Sequence, residues 1–195
     1  RRPVSAMLKQ RIITALGLLA ILLPALFASS PEPFCAVTLV LMVAGAWEWG
    51  RMNGYGPKSV LMIGMDCLVL CAASWKLGWL TASLPLFWSI VGAVWVLGAA
   101  LLLRRGVPGW ADIPKTVRVV GGVLALWAAW LAVAQSRFIG INFLLSILAL
   151  VWMADIAAYF AGRAFGMRIA KVKLAPSISP GKSWEGVWGG MLGVL

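Results

Sequence analysis

The chain has 195 residues, 62% apolar and only 12% charged, with a formal net charge of +11 and no histidine. An ordinary globular domain is ~45–50% apolar and ~25% charged, so a soluble single-domain enzyme is excluded. The missing imidazole also excludes a Ser-His-Asp triad, a Cys-His pair and HExxH zinc chemistry.

The apolar residues fall in long runs with almost no charge, the pattern of helices that cross a bilayer. In chain order the spans predicted are Ile12–Ala28, Phe34–Trp49, Ser59–Trp75, Leu84–Leu103, Val119–Ala134 and Ile141–Gly162, and Trp184–Leu195 begins a seventh. Turn chemistry separates them at Ser29 to Pro33, Asn53 to Pro57 and Gly106 to Gly109. The expected fold is all-α, a polytopic membrane helical bundle forming a single transmembrane domain over residues 1–195. The first run reads as an uncleaved anchor rather than a signal peptide, because it is long and further spans follow. Met7-Leu8-Lys9-Gln10-Arg11 looks like a natural start, which makes residues 1–6 an expected upstream extension. Cys35, Cys67 and Cys71 lie in apolar runs without a CxxC spacing and are expected to be buried, inert thiols. Trp47, Trp49, Trp75, Trp110 and Trp184 lie near span ends and are assigned to an interfacial belt. Small residues recur four apart at Ala154/Ala158, Ala157/Ala161, Gly186/Gly190 and Gly189/Gly193, a spacing that lets helices approach closely.

Cations mark the two sides of the membrane. Arg1, Arg2, Lys9 and Arg11 precede the first span; Arg51 and Lys58 follow the second; Arg104, Arg105, Lys115 and Arg118 follow the fourth; Arg163, Arg168, Lys171, Lys173 and Lys182 follow the sixth. Fifteen of the seventeen Lys and Arg residues therefore share one side, and only Lys76 and Arg137 lie on the other. This bias predicts a cytoplasmic N-terminus and six crossings. It explains the basicity without nucleic acid, and cytoplasmic cations can also attract anionic lipid or a phosphorylated ligand.

Six carboxylates carry the possible acid and metal chemistry. Glu32 and Asp112 lie in loops, and Glu48 ends the second span between Trp47 and Trp49. Asp66 lies inside the third span without polar neighbours, which favours a structural hydrogen bond or a helix-packing role. Asp155 lies inside the sixth span. On a helix it shares a face with Tyr159 and Gly162, with Arg163 beside them. Two readings stand side by side: a magnesium ligand reached from the basic side, or a structural pair with an Arg or Lys. The second segment of interest runs from Ser177 through Ser179, Pro180, Gly181, Lys182 and Ser183 to Glu185 and Gly186. It is no P-loop, because Pro176 stands where the first glycine is needed. A hydroxyl-rich turn with a lysine at a helix start can hold phosphate, or can simply be a capped helix with Ser183 as N-cap.

Taken together, Asp155-x-x-Ala158-Tyr159-Phe160-x-Gly162-Arg163-x-Phe165-Gly166 and Ser179-Pro180-x-Lys182-Ser183-Trp184-Glu185-Gly186-x-x-Gly189-Gly190 resemble the bacterial phosphatidate cytidylyltransferases. The start at Met7 and the Trp47-Glu48-Trp49 run are similar to that family as well. The resemblance implies an enzyme of the bacterial cytoplasmic membrane that transfers CMP from CTP to phosphatidic acid, with Mg²⁺, giving CDP-diacylglycerol and pyrophosphate. It implies catalytic roles for Asp155 and Lys182, with Asp155 on the metal. Tyr159, Arg163, Ser179, Ser183 and Glu185 would bind substrate. The implied partners are CTP, phosphatidic acid and membrane lipid, without nucleic acid, and a homo-oligomer is compatible. Gly181 stands where the family often has a second lysine, and Ser183 where it has threonine. The family's acidic signature stretch is expected beyond Leu195, so the chain is expected to be truncated and short of full activity. The competing readings are a transporter or channel subunit using Asp66 and Asp155, and a non-catalytic helix-packing partner.

Overall fold

The computed structural model describes residues 4–171, 173–175 and 179–195. Among the described residues, seven helices follow in order: α1 (Val4–Leu26), α2 (Glu32–Met52), α3 (Pro57–Lys76), α4 (Pro85–Ala111), α5 (Lys115–Ile139), α6 (Ile141–Phe165) and α7 (Trp184–Gly193). Between the last two lies a pair of short strands, β1 (Lys173–Ala175) and β2 (Ser179–Ser183). Helices α1 to α6 are each long and apolar enough to cross a membrane. The expected all-α polytopic architecture is therefore present, with a small antiparallel hairpin in the interval read as loop. Most helices outrun the apolar runs that predicted them. Val119–Ala134 becomes Lys115–Ile139, because a backbone entering the headgroup region still satisfies its hydrogen bonds within the helix.

The chain divides into two compact units. The first holds the chain up to Gly98 together with Ile113–Ile141. Its centre is the packing of α2, α3 and α5, where Cys35, Cys67, Cys71, Trp130, Leu131 and Ala134 are fully buried. The three cysteines are free thiols, as expected. Indoles fill the spaces between the helices, and the N–H groups of several find acceptors. Trp130 donates to the carbonyl of Cys35 at 3.1 Å, Trp127 to the Ser74 hydroxyl at 2.9 Å, and Trp88 to Gln135 Oε1 at 2.8 Å. Gln135 in turn donates to the carbonyls of Trp79 and Ala82, so no dipole of this network is wasted. A buried N–H left unpaired costs ~1–3 kcal/mol. Trp79, Phe87 and Trp127 close the cluster with centroids 5.6–6.1 Å apart.

Two of the five tryptophans assigned to an interfacial belt are packing residues. Trp49 donates to the carbonyl of Arg118 at 3.1 Å and lies against Gly122, where a Cβ would overlap the indole. Trp75 stacks at 6.2 Å on Trp130. An indole near a span end serves the interior when a neighbouring helix offers a glycine or a second ring. Trp47, Trp110 and Trp184 remain exposed.

Arg137 is only 8% exposed, unusual for an arginine. Its guanidinium donates to the carbonyl of Leu26 at 3.1 Å and of Ala28 at 2.6 Å, at the C-terminal end of α1. Carbonyls there lack intrahelical partners, and the helix dipole favours a cation. At the other end, Lys115 opens α5 by donating to the Gly54 carbonyl at 2.6 Å, with its ammonium 3.9 Å above the Tyr55 ring.

The second unit holds Ala99–Asp112 and Asn142–Leu195. Within it α4 is interrupted at Gly106 (φ 65°, ψ −168°), a conformation that favours glycine, at the break expected from the sequence. Helix α7 lies antiparallel to α6 at backbone contact. A Cβ at Gly186 would stand 3.1 Å from the carbonyl oxygen of Ala158, and one at Gly190 the same distance from that of Ala154. One at Gly189 would overlap the Ala161 methyl, and one at Gly193 would reach the Ala157 methyl at 2.5 Å. The small residues spaced four apart are thus the contact surface itself.

Two outcomes follow from these contacts. Arg137→Met leaves the Leu26 and Ala28 carbonyls unpaired and is expected to cost ~2–4 kcal/mol, read as a fall in the thermal unfolding midpoint in detergent, with Arg137→Lys falling less. Gly189→Ala is expected to cost ~1–3 kcal/mol by overpacking. Gly181→Ala, where a Cβ meets nothing within 4 Å, leaves the midpoint unchanged.

Candidate functional site

Helix α6 carries three of the residues singled out in the sequence, Asp155, Tyr159 and Arg163, one turn apart and all exposed. A rise of ~1.5 Å per residue spreads them over ~12 Å. Arg163 donates to the Tyr159 hydroxyl at 3.1 Å. Of the two readings of Asp155, the structural pair does not form: Asp155 has no ion pair among the described residues, and the nearest arginine on its face is engaged by tyrosine. It is a solvent- or lipid-facing carboxylate beside the Ala154/Ala158 contact stripe.

The second segment is built by the hairpin and the start of α7. Antiparallel pairing sets Lys173 opposite Ser183 and Ala175 opposite Ser179. Ser179 is half-buried, Lys182 is exposed, and Ser183 is buried. Pro176, Ser177 and Ile178 lie outside the described residues. Ser183 is the N-cap of α7, its Oγ accepting the Gly186 N–H at 3.3 Å with extended backbone (φ −126°, ψ 161°). Its hydroxyl rests on α6, 3.3 Å from where a Gly166 Cβ would stand and 3.5 Å from where a Gly162 Cβ would. The two glycines therefore make the step on which the N-cap sits, and Lys182 is held at the edge of that step.

Glu185 is 3% exposed. Its Oε1 accepts the N–H groups of Ile169 and Ala170, both at 2.9 Å, while Oε2 is buried without a hydrogen-bond partner among the described residues. These two amides are the part of the site that sequence reading missed. They contribute backbone rather than side chain, and the turn that presents them places Met167 (φ 65°) and Lys171 (φ 48°) in the left-handed region with no glycine at either position to mark it. The structure thus joins Ser183, Glu185, Gly162, Gly166 and the turn after α6, and leaves Asp155, Lys182 and the Tyr159–Arg163 pair exposed near that junction.

Of the other carboxylates weighed above, Glu32, Glu48 and Asp66 lie in the first unit and Asp112 in the second. Glu48 pairs with Arg51 at 2.8 Å, and that guanidinium lies 5.1 Å from the Trp47 ring centroid. Asp66 departs from expectation. It is exposed and makes no hydrogen bond or ion pair among the described residues, because it stands with Met62, Met65 and Val69 on the face of α3 opposite buried Ile63, Cys67 and Cys71.

A family model described as the cytidylyltransferase family matches residues 9–195. A phosphatidate cytidylyltransferase of Pseudomonas aeruginosa is 38% identical over 193 residues, spanning 95% of this chain and 67% of that protein. One from Haemophilus influenzae is 34% identical over 211 residues, spanning 97% and 70%. One from Brucella suis is 49% identical over a 51-residue stretch, 26% of this chain. No solved structure matches. A family match running from Lys9 to the last residue, through every helix and both halves of the junction, means that the chain belongs to the cytidylyltransferase family.

Proposed function

We propose that this chain transfers CMP from CTP to phosphatidic acid in a bacterial cytoplasmic membrane, giving CDP-diacylglycerol and pyrophosphate, with its N-terminus on the cytoplasmic side. The observation that carries the reading is the 38% identity to a phosphatidate cytidylyltransferase across 95% of the chain. Six apolar helices and the one-sided cations support the membrane and its orientation.

A phosphate oxygen of the lipid attacks the α-phosphorus of CTP, the new P–O bond forms, and the bond to the β-phosphate bridging oxygen breaks to release pyrophosphate. Such a displacement needs positioning and charge neutralisation more than an acid–base pair, so a histidine-free chain can perform it. Lys182 is exposed at the rim of the α6–α7 junction and supplies a cation to the triphosphate. Arg163, with its orientation set by the Tyr159 hydroxyl, supplies another. Ser179 and the hydroxyl hydrogen of Ser183 are the neutral donors, the latter free because the Ser183 oxygen is the acceptor in its cap.

Among the described residues no three His, Cys, Asp or Glu side chains cluster as a metal cage. Magnesium does not require one: it is held through one or two carboxylates plus substrate phosphates. The exposed carboxylate of Asp155, unpaired among the described residues, fits that need. Mg²⁺ held there would offset triphosphate charge as pyrophosphate departs.

The test is incorporation of labelled CTP into lipid by membranes containing the full-length protein, supplied with phosphatidic acid. Asp155→Asn and Lys182→Ala are each expected to lower incorporation ~100-fold or more, equivalent to ~2.7 kcal/mol of lost transition-state stabilisation. Glu48→Gln, whose partner is a surface arginine, retains the wild-type rate. Equal incorporation by all three variants overturns the site.

A further inference from the structure

The first turn of α7 contains a buried acid that the proposed chemistry does not use. Glu185 is sequestered at 3% exposure. It accepts two successive backbone N–H groups, those of Ile169 and Ala170, sixteen and fifteen residues earlier in the chain. Successive amides converging on one anion make a compact nest, and a charged acceptor strengthens each bond. On either side of these amides, Met167 and Lys171 adopt positive φ, a conformation costly for side chains with a Cβ. The turn therefore needs an outside restraint, and the carboxylate provides one.

We propose that Glu185 is a positioning residue: its carboxylate clamps the turn after α6 onto the first turn of α7, and so fixes where Arg168, Lys171 and Lys182 present their cations to the nucleotide triphosphate. The proposal rests on the function given above. The covalent path between the clamp's ends explains how it acts. From Ala170 the chain passes Lys171, enters β1 at Lys173, returns along β2 through Lys182, and reaches Ser183 and Glu185. The clamp and the Ser183 cap close this path into a loop, with Lys173 facing Ser183 across the ladder. Lys182 is then anchored on its C-terminal side by the cap and across the hairpin by the strand that the clamped turn launches. Without the clamp, the left-handed residues are free to relax and the hairpin loses its fixed base. Lys182 keeps its charge but not its place.

Two readouts separate the clamp from the function. Hydrogen exchange on the full-length protein in detergent micelles reads the clamp directly. In Glu185→Ala the Ile169 and Ala170 amides are expected to exchange ~10-fold faster or more, while α6 and α7 keep their protection. Glu185→Gln retains an acceptor and is expected to lie between. Steady-state incorporation reads the consequence: KM for CTP rises ~10-fold in Glu185→Ala and less in Glu185→Gln, while KM for phosphatidic acid stays put. A merely structural defect lowers the active fraction and leaves KM for CTP alone. Exchange at the wild-type rate in Glu185→Ala overturns the clamp. Faster exchange with unchanged KM for CTP overturns the positioning role. Should Glu185→Ala lose protection throughout α6 and α7, Glu185→Gln decides by the same two criteria. If Lys182→Ala also leaves KM for CTP and the rate unchanged, the functional reading fails and the positioning role with it, while the exchange result still stands for the clamp.

Discussion

The direct contact of two helix backbones, α7 against α6, sets everything around the candidate site. A membrane offers little hydrophobic drive for one helix to choose another, so close packing and polar contacts decide. Gly186, Gly189, Gly190 and Gly193 remove the side chains that would hold α7 away from the carbonyls of Ala154 and Ala158. Once the helices touch, the N-terminus of α7 must meet the C-terminal end of α6. The hairpin between them is closed at its base, and Ser183 falls onto the Gly162 and Gly166 step. Helix α7 is thereby given a fixed position against α6.

The first unit solves the same problem with indoles. Helices α2, α3, α5 and the start of α4 are joined by wide rings whose single polar atom is matched to a carbonyl, a hydroxyl or an amide. Each such bond requires one rotamer and one helix register, so the aromatic core is specific as well as dense. Where the helices come closest, glycine and indole work as a pair, as at Gly122 and Trp49. The two units thus use opposite means, small against small in one and large against polar in the other.

Much of this was legible beforehand. The spans followed from hydropathy, the α4 break from Gly106 and Pro108, and the α6–α7 contact from small residues four apart. The N-cap role of Ser183 was one of two readings open from its position before an apolar run. The exposed face of Asp66 is not legible in the sequence, because hydropathy gives the depth of a residue along a helix and not the face it occupies. Trp49 and Trp75 also pack inward, and nearness to a span end does not say which neighbour a ring will find. The destination of Glu185 was hidden for a different reason. Its partners are amides, which every residue but proline carries, and the left-handed turn that aims them uses methionine and lysine.

Arg137 has a consequence for assembly. In the proposed orientation it is one of only two cations on the side opposite the basic loops, where a guanidinium carried across a bilayer needs acceptors. Its acceptors are the carbonyls of Leu26 and Ala28, made more than a hundred residues earlier in synthesis. Docking of α5 against the end of α1 pairs the buried guanidinium with helix-end carbonyls, so the placement of the fifth helix depends on that of the first.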